Sequence, residues 1–208
     1  YVEALLRERP PSPLKGGEVS TIYFGGGTPS LLTLSQLATI FRTISSNYDL
    51  SALQEVTLEA NPEDLTEPFL QGLADMHFVN RLSVGVQSFS DSSLALLNRR
   101  HTGRQAFDAV AKASSLGFDN ISIDLIYGLP NQSMGQWLSN LDQVDDLGSA
   151  VTHLSCYALT LEEGTMLHRQ LLQGRIQLPE ESEVLDQYQA LQQWCRTHGW
   201  SHYEVSSY

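Results

Sequence analysis

The chain has 208 residues, 41% of them apolar, which is enough for one sizeable core and cramped for two full domains. A formal charge of −12, with Lys15 and Lys112 the only lysines, argues against a nucleic-acid backbone or an anionic membrane face as the main partner. No apolar run is long enough for a transmembrane segment, residues 1–7 are not a signal peptide, and two cysteines fit a reducing compartment, so a cytoplasmic protein is expected.

Residues 1–8 read as the end of a helix, and residues 10–17, with three prolines and two glycines, as a loop. A strand follows from Val19 to Phe24 and runs into Gly25, Gly26, Gly27 and Thr28. Thr33 begins a helix with Leu34, Leu37, Ile40, Phe41 and Ile44 at helical spacing. The second strand is Val56 to Asn61; Thr66 then caps a helix carrying Pro68 in its first turn and reaching Met76. A third strand spans Arg81 to Gln87, and Asp91 is placed as the cap of a helix over Ser92 to Asn98. Gly103 to Leu116 is a helix stopped by Gly117, Ile121 to Gly128 a strand, and Ser133 to Leu147 a helix stopped by Gly148. His153 to Leu159 is the fifth strand, Glu181 to His198 a long helix stopped by Gly199, and His202 to Ser206 a final strand.

This β-α succession means right-handed crossovers and a parallel sheet with outer helices. An open doubly wound sheet and a partial (β/α) barrel both satisfy the periodicity. Strand after strand ends on a polar residue or glycine, which a buried strand gains nothing from, and that favours a barrel with a shared site at one mouth.

Each candidate group has a plain structural alternative. The glycines at 25–27 let backbone approach a ligand closely, or they make a tight turn. Glu59 can hold a ribose through its hydroxyls, or cap the next helix. Gln87 can read a polar ligand group, or satisfy loose backbone groups at the strand end. Arg99, Arg100 and His101 can neutralise a ligand carboxylate, or form a solvated helix end. Asp124 sits inside an apolar run, where a carboxylate is costly unless it is paired, so function is the better reading there. No histidine pairing suggests a metal site, and Cys156 and Cys195 read as small buried groups.

The segments TIYFGGGTPS, LEANP, LSVGVQSF, NRRHT and NISIDLIYGLP occur in that order. Together they resemble the radical S-adenosylmethionine (SAM) proteins related to oxygen-independent coproporphyrinogen III oxidase, and the resemblance covers residues 18–208. It implies a partial β/α barrel carrying a [4Fe-4S] cluster and SAM at the strand C-termini. By similarity, Gly26, Gly27 and Thr28 meet the methionine moiety of SAM and Glu59 its ribose. Gln87, Arg99 and Asp124 match further SAM-contacting positions, and Ala158 falls where the adenine side of the pocket is lined. In catalytic members of the family, one electron from the cluster cleaves SAM to a radical that abstracts hydrogen from a propionate side chain.

One feature of the family is missing. The cluster is held there by three cysteines in a C-x3-C-x2-C run, and this chain has no such run. The expectation is a single radical SAM core over residues 1–208, without the N-terminal cluster-binding segment and the C-terminal domain. A domain that has lost its cluster is a further reading. Two functions remain within the family. One is the oxidase, which makes protoporphyrinogen; the other is the heme chaperone, which binds heme and hands it to acceptor proteins. The stretch from Tyr157 to Thr165, then Leu178-Pro179, then Tyr203 to Ser207, looks like the chaperone branch. That reading implies heme or porphyrin, heme-acceptor proteins and an electron donor protein as partners. His101 is the candidate axial ligand of heme, with a helix-end hydrogen bond as its alternative.

Overall fold

Leu82, Val84 and Val86 are fully buried while Arg81, Ser83, Gly85 and Gln87 between them stay partly open, and this alternation sets the two faces of the sheet. A computed structural model describes residues 1–8 and 18–208, so the loop expected at 10–17 lies outside the described residues. Five strands, β1 (Thr21–Phe24), β2 (Glu55–Ala60), β3 (Arg81–Gln87), β4 (Ile121–Tyr127) and β5 (Val151–Ala158), pair in parallel and in sequence order. A doubly wound sheet reverses its order at a switch point. Here the order never reverses, so every crossover advances the same way and the helices gather on one face. The fold is therefore the expected α/β partial barrel, with β1 and β5 at its edges.

The helices are α1 (Val2–Arg7), α2 (Leu34–Asn47), α3 (Glu67–Met76), α4 (Asp91–Leu96), α5 (Gly103–Ser115), α6 (Met134–Asp146), α7 (Met166–Leu172) and α8 (Glu181–His198). Leu58, Leu82, Ile123 and Leu125 on the strands join Leu37 of α2, Leu73 of α3, Val110 of α5, Trp137 of α6 and Leu191 of α8 in one core. Each of these large side chains contributes roughly 1.5–3 kcal/mol by leaving water. Three of the helices start on reciprocal capping boxes, Thr33 with Gln36, Thr102 with Gln105 and Ser133 with Gln136. A parallel sheet covered on both faces would read as continuous apolar strands; this one alternates because its concave face is polar.

Several expectations at element ends need correction. Thr66 does stand at the N-cap of α3 with Pro68 in the first turn, but its side chain makes no cap bond. Asp91 is the first residue of α4 rather than its cap; its carboxylate instead accepts the Gly103 N–H at 2.8 Å, tying α4 to the start of α5. That helix ends at Leu96, and Asn98 turns away at φ 53°. Residues 202–206 form no strand, because the Glu204 carboxylate accepts from the Ser206 N–H and from both the Ser206 and Ser207 hydroxyls and curls the segment into a turn. Backbone bonds still tie Ser206 and Tyr208 to Cys156 and Leu154 of β5. Among the described residues, no helix is long and apolar enough to cross a membrane.

Candidate functional site

The concave face is built from the residues that alternate with the core. Glu59, Ser83, Ser122 and His153 stand in one register row across β2 to β5, and Asp124 and Ser155 in the next. Toward the strand N-termini these groups satisfy one another. Arg81 meets Glu55 at 3.4 Å, and Ser122 meets His153 Nδ1 at 2.8 Å, with the Tyr203 hydroxyl on the other ring nitrogen. Burial, then the Arg81 charge, lowers the His153 pKa. Toward the C-termini the polar groups surround a cavity of about 230 Å³ instead.

Six of the expected site residues line that cavity: Gly27, Thr28, Glu59, Gln87, Arg99 and Asp124. Gly26 is joined to them because its N–H donates to Glu59 Oε2 at 3.1 Å, and its φ of 109° suits a residue without Cβ. Ala158 is not brought in; it lies exposed at the end of β5, opposite Tyr127 in the register. Asn61, Ser83 and Gly85 also line the cavity and were not anticipated. Gly85 carries a readable signal, a glycine between two valines inside a strand, which marks a close approach. A Cβ there would lie 2.9 Å from Gln87 Nε2 and 3.0 Å from Arg99 Nη2.

Glu59 is held by a clasp. The Tyr23 hydroxyl donates to its Oε1 at 2.8 Å, while Oε2 takes the Gly26 N–H. A Cβ on Gly25 would strike the Tyr23 ring at 2.6 Å, so the turn closes on that ring only as glycine. Burial, then the bond to Glu59, raises the Tyr23 pKa. Opposite, Arg99 Nη2 donates to the Gly85 carbonyl at 2.6 Å and to Asn61 Oδ1 at 3.2 Å, and its Nε is buried without a partner. Burial lowers the Arg99 pKa, against the pull of the Glu63 and Asp124 charges. Asp124 is raised above the ordinary aspartate value, first by burial and further by Glu59, against the Ser155 hydrogen bond and the arginines Arg81 and Arg99.

Two carboxylates facing one guanidinium leave the cavity anionic overall, with one buried donor unspent. A ligand that is cationic overall and carries one carboxylate complements that set. His101 takes no part as a metal ligand: its side chain is fully enclosed and both ring nitrogens are engaged, by Glu63 and by the Val86 carbonyl. Among the described residues no cluster of His, Cys, Asp or Glu is arranged to hold a metal. Cys156 and Cys195 are buried free thiols; burial pushes Cys156 well up and Cys195 up to about 11, the reverse of what thiolate ligation needs. These residues do not fit an iron–sulfur cluster.

The family model of the radical SAM superfamily matches residues 13–144. This chain belongs to the radical SAM superfamily. It is 38% identical over 208 residues to the heme chaperone HemW of Lactococcus lactis, covering all of this chain and 54% of that protein. It is 38% identical over 190 residues to the mitochondrial radical S-adenosyl methionine domain-containing protein 1 of Bos taurus, covering 91% of this chain and 42% of that one. The chain thus spans about half the length of the curated relatives it matches. Among solved structures, the radical SAM enzyme coproporphyrinogen III oxidase (HemN) of Escherichia coli superposes with a TM-score of 0.78 at 28% identity, over 91% of this chain and 43% of that one.

Proposed function

We propose that residues 1–208 form the SAM-binding core of a heme chaperone, a protein that binds heme and passes it to acceptor proteins in the cytoplasm. The observation that carries the SAM reading is the convergence of the glycine turn, Glu59, Gln87, Arg99 and Asp124 on one cavity at the strand C-termini. SAM is cationic overall and holds one carboxylate, the ligand charge that this cavity complements. In this reading Gly26, Gly27 and Thr28 meet the methionine part, the clasped Glu59 carboxylate accepts from ribose hydroxyls, and the Arg99 guanidinium meets the carboxylate of SAM. Gln87 and Asp124 complete the contacts, and Ala158, outside that cavity at the exposed end of β5, stays a proposal for the adenine side only. The chaperone reading rests on likeness to HemW along the whole of this chain.

A cluster and SAM together supply one-electron chemistry. Two buried cysteines are too few to hold such a cluster, so we place its thiolates in a segment of the protein outside these residues, and a further domain likewise. An electron donor protein and heme acceptors complete the proposed partners. The chain's own part is to orient SAM, keep one face of it dry against the sheet, and hold its polar groups on fixed donors and acceptors.

The test uses full-length protein with its cluster reconstituted without oxygen. Heme is titrated in and followed by its Soret band, and the same preparation is supplied with SAM, reductant and coproporphyrinogen III. Saturable heme binding without sustained protoporphyrinogen formation is the expected result. Sustained turnover would instead make the protein a decarboxylating oxidase.

A further inference from the structure

Besides the glycine turn, Glu59 and Asp124, the cavity is lined by residues from three segments far apart in the chain. They are the turn after β2 (Asn61–Asp64), the end of β3 at Gln87, and the link between α4 and α5 (Asn98–Thr102). Each is irregular by itself. Pro62–Asp64 is a single 3-10 turn, Gln87 sits at φ 68°, and Asn98 at φ 53°. A side chain with a polar head can be poised at a ligand only if such segments are tied to one another.

Two residues of the third segment make that tie in parallel. On the cavity side Arg99 reaches Asn61 and the Gly85 carbonyl. One step behind, His101 makes the matching links to the next residues along: Nδ1 lies 3.0 Å from Glu63 Oε2 and Nε2 lies 3.1 Å from the Val86 carbonyl. The ring is thus held between two accepting groups, a carboxylate and a carbonyl. The Glu63 carboxylate also accepts from Arg100 Nε at 3.1 Å, which closes the link back onto the third segment. Burial works to raise Glu63, but its backbone N–H, the His101 bond and charge, and Arg100 outweigh it and hold the group below the ordinary glutamate value. His101 itself is 3% exposed, and neither SAM nor heme can reach its ring.

We propose that His101 is a positioning residue for the SAM site: with Glu63 it locks the three segments together so that Asn61, Gln87 and Arg99 keep their places when ligand engages Arg99. This rests on the SAM reading of the cavity for its consequence, while the lock itself can be measured without ligand. Two lesions divide its bonds. In His101→Gln the amide nitrogen can still reach the Val86 carbonyl, whereas in His101→Asn the shorter amide keeps only the Glu63 side.

The experiment uses full-length, cluster-loaded protein and has two readouts. Hydrogen exchange without SAM should show faster exchange at residues 61–64, 86–89 and 98–102 together in both variants and in Glu63→Gln, with β5 unchanged. Equilibrium dialysis of SAM, well below the melting transition, should show about tenfold weaker binding, the loss expected for a hydrogen bond to a charged group. Combining Glu63→Gln with His101→Gln should add little, because both break the same His101–Glu63 link. Should His101→Asn fail to melt cooperatively, His101→Gln and Glu63→Gln carry the comparison. Unchanged exchange in the three segments would overturn the lock. Faster exchange with wild-type SAM affinity, or a lowered melting temperature alone, would reduce His101 to a structural residue. If the unmodified protein itself binds no SAM, the SAM reading fails separately, and the exchange pattern still decides whether the lock exists.

Discussion

Replacing Gly85 with alanine separates stability from function at one atom. The new Cβ would stand 2.9 Å from Gln87 Nε2 and 3.0 Å from Arg99 Nη2, both of them far ends of flexible side chains, and no backbone atom blocks it. The fold can therefore absorb the methyl group. A strand interior gains about 0.5–1 kcal/mol when glycine becomes alanine, and disturbing the Arg99 bond to the Gly85 carbonyl costs about 1–3 kcal/mol, so the net change in stability is a loss of no more than about 2.5 kcal/mol. The site cannot absorb it, because Arg99 Nη2 holds both the Gly85 carbonyl at 2.6 Å and Asn61 Oδ1 at 3.2 Å. Moving that head by a few tenths of an ångström misplaces the guanidinium that faces the ligand. We expect SAM affinity to fall at least tenfold, equivalent to about 1.4 kcal/mol, in a protein that still melts cooperatively. Calorimetric melts and SAM dialysis on the same full-length preparation read both quantities. Wild-type SAM affinity in a folded Gly85→Ala protein would refute the reasoning.

The same substitution at Gly103 should behave in the opposite way, since its Cβ would fall 1.8 Å from the Phe89 carbonyl oxygen, a backbone atom that cannot step aside; we expect a loss above about 2 kcal/mol in chemical denaturation, by overpacking. Asp124→Asn should stabilise the ligand-free protein at neutral pH while weakening SAM binding. The folded-state pKa of Asp124 is raised, so its contribution is fully favourable below the ordinary aspartate value of 3.8 and is lost as pH rises through the folded value. The gain in melting temperature should therefore be present at pH 7 and shrink toward acid, and a pH-independent difference would contradict the assignment. Tyr23→Phe removes the hydroxyl donor to Glu59 Oε1 and should weaken SAM binding several-fold with less than about 1 kcal/mol change in stability, since the ring is 56% exposed; an unchanged dissociation constant would remove the clasp from the account.

Local pattern was enough for much of this. The spacing of Leu37, Ile40 and Ile44 is a signal carried within a few residues, and the helices expected from Thr33, Gly103 and Ser133 start within one residue of those positions. Polar strand ends on Glu59, Gln87 and Asp124 signalled a shared mouth, and the unbroken strand order places those ends side by side. What escaped was long-range pairing. Tyr23 meets Glu59 across 36 residues and His101 meets Glu63 across 38, so no window of sequence contains either contact. His101 looked like an exposed helix-end group because nothing nearby reveals that β3 buries it. The helix Met166–Leu172 was missed since it buries no residue and so lacks a decisive apolar stripe. The expected strand at 202–206 failed for a local reason, the turn that Glu204 makes with Ser206 and Ser207.

The central claim is that the cavity between the glycine turn and Arg99 holds SAM. Its most direct test is dialysis of labelled SAM against full-length, cluster-loaded protein, with Glu59→Gln and Arg99→Ala alongside and cluster content and melting followed in each. The account predicts saturable binding to the unmodified protein and at least tenfold weaker binding in both variants at unchanged cluster content. Wild-type affinity in both variants would place SAM elsewhere and contradict it.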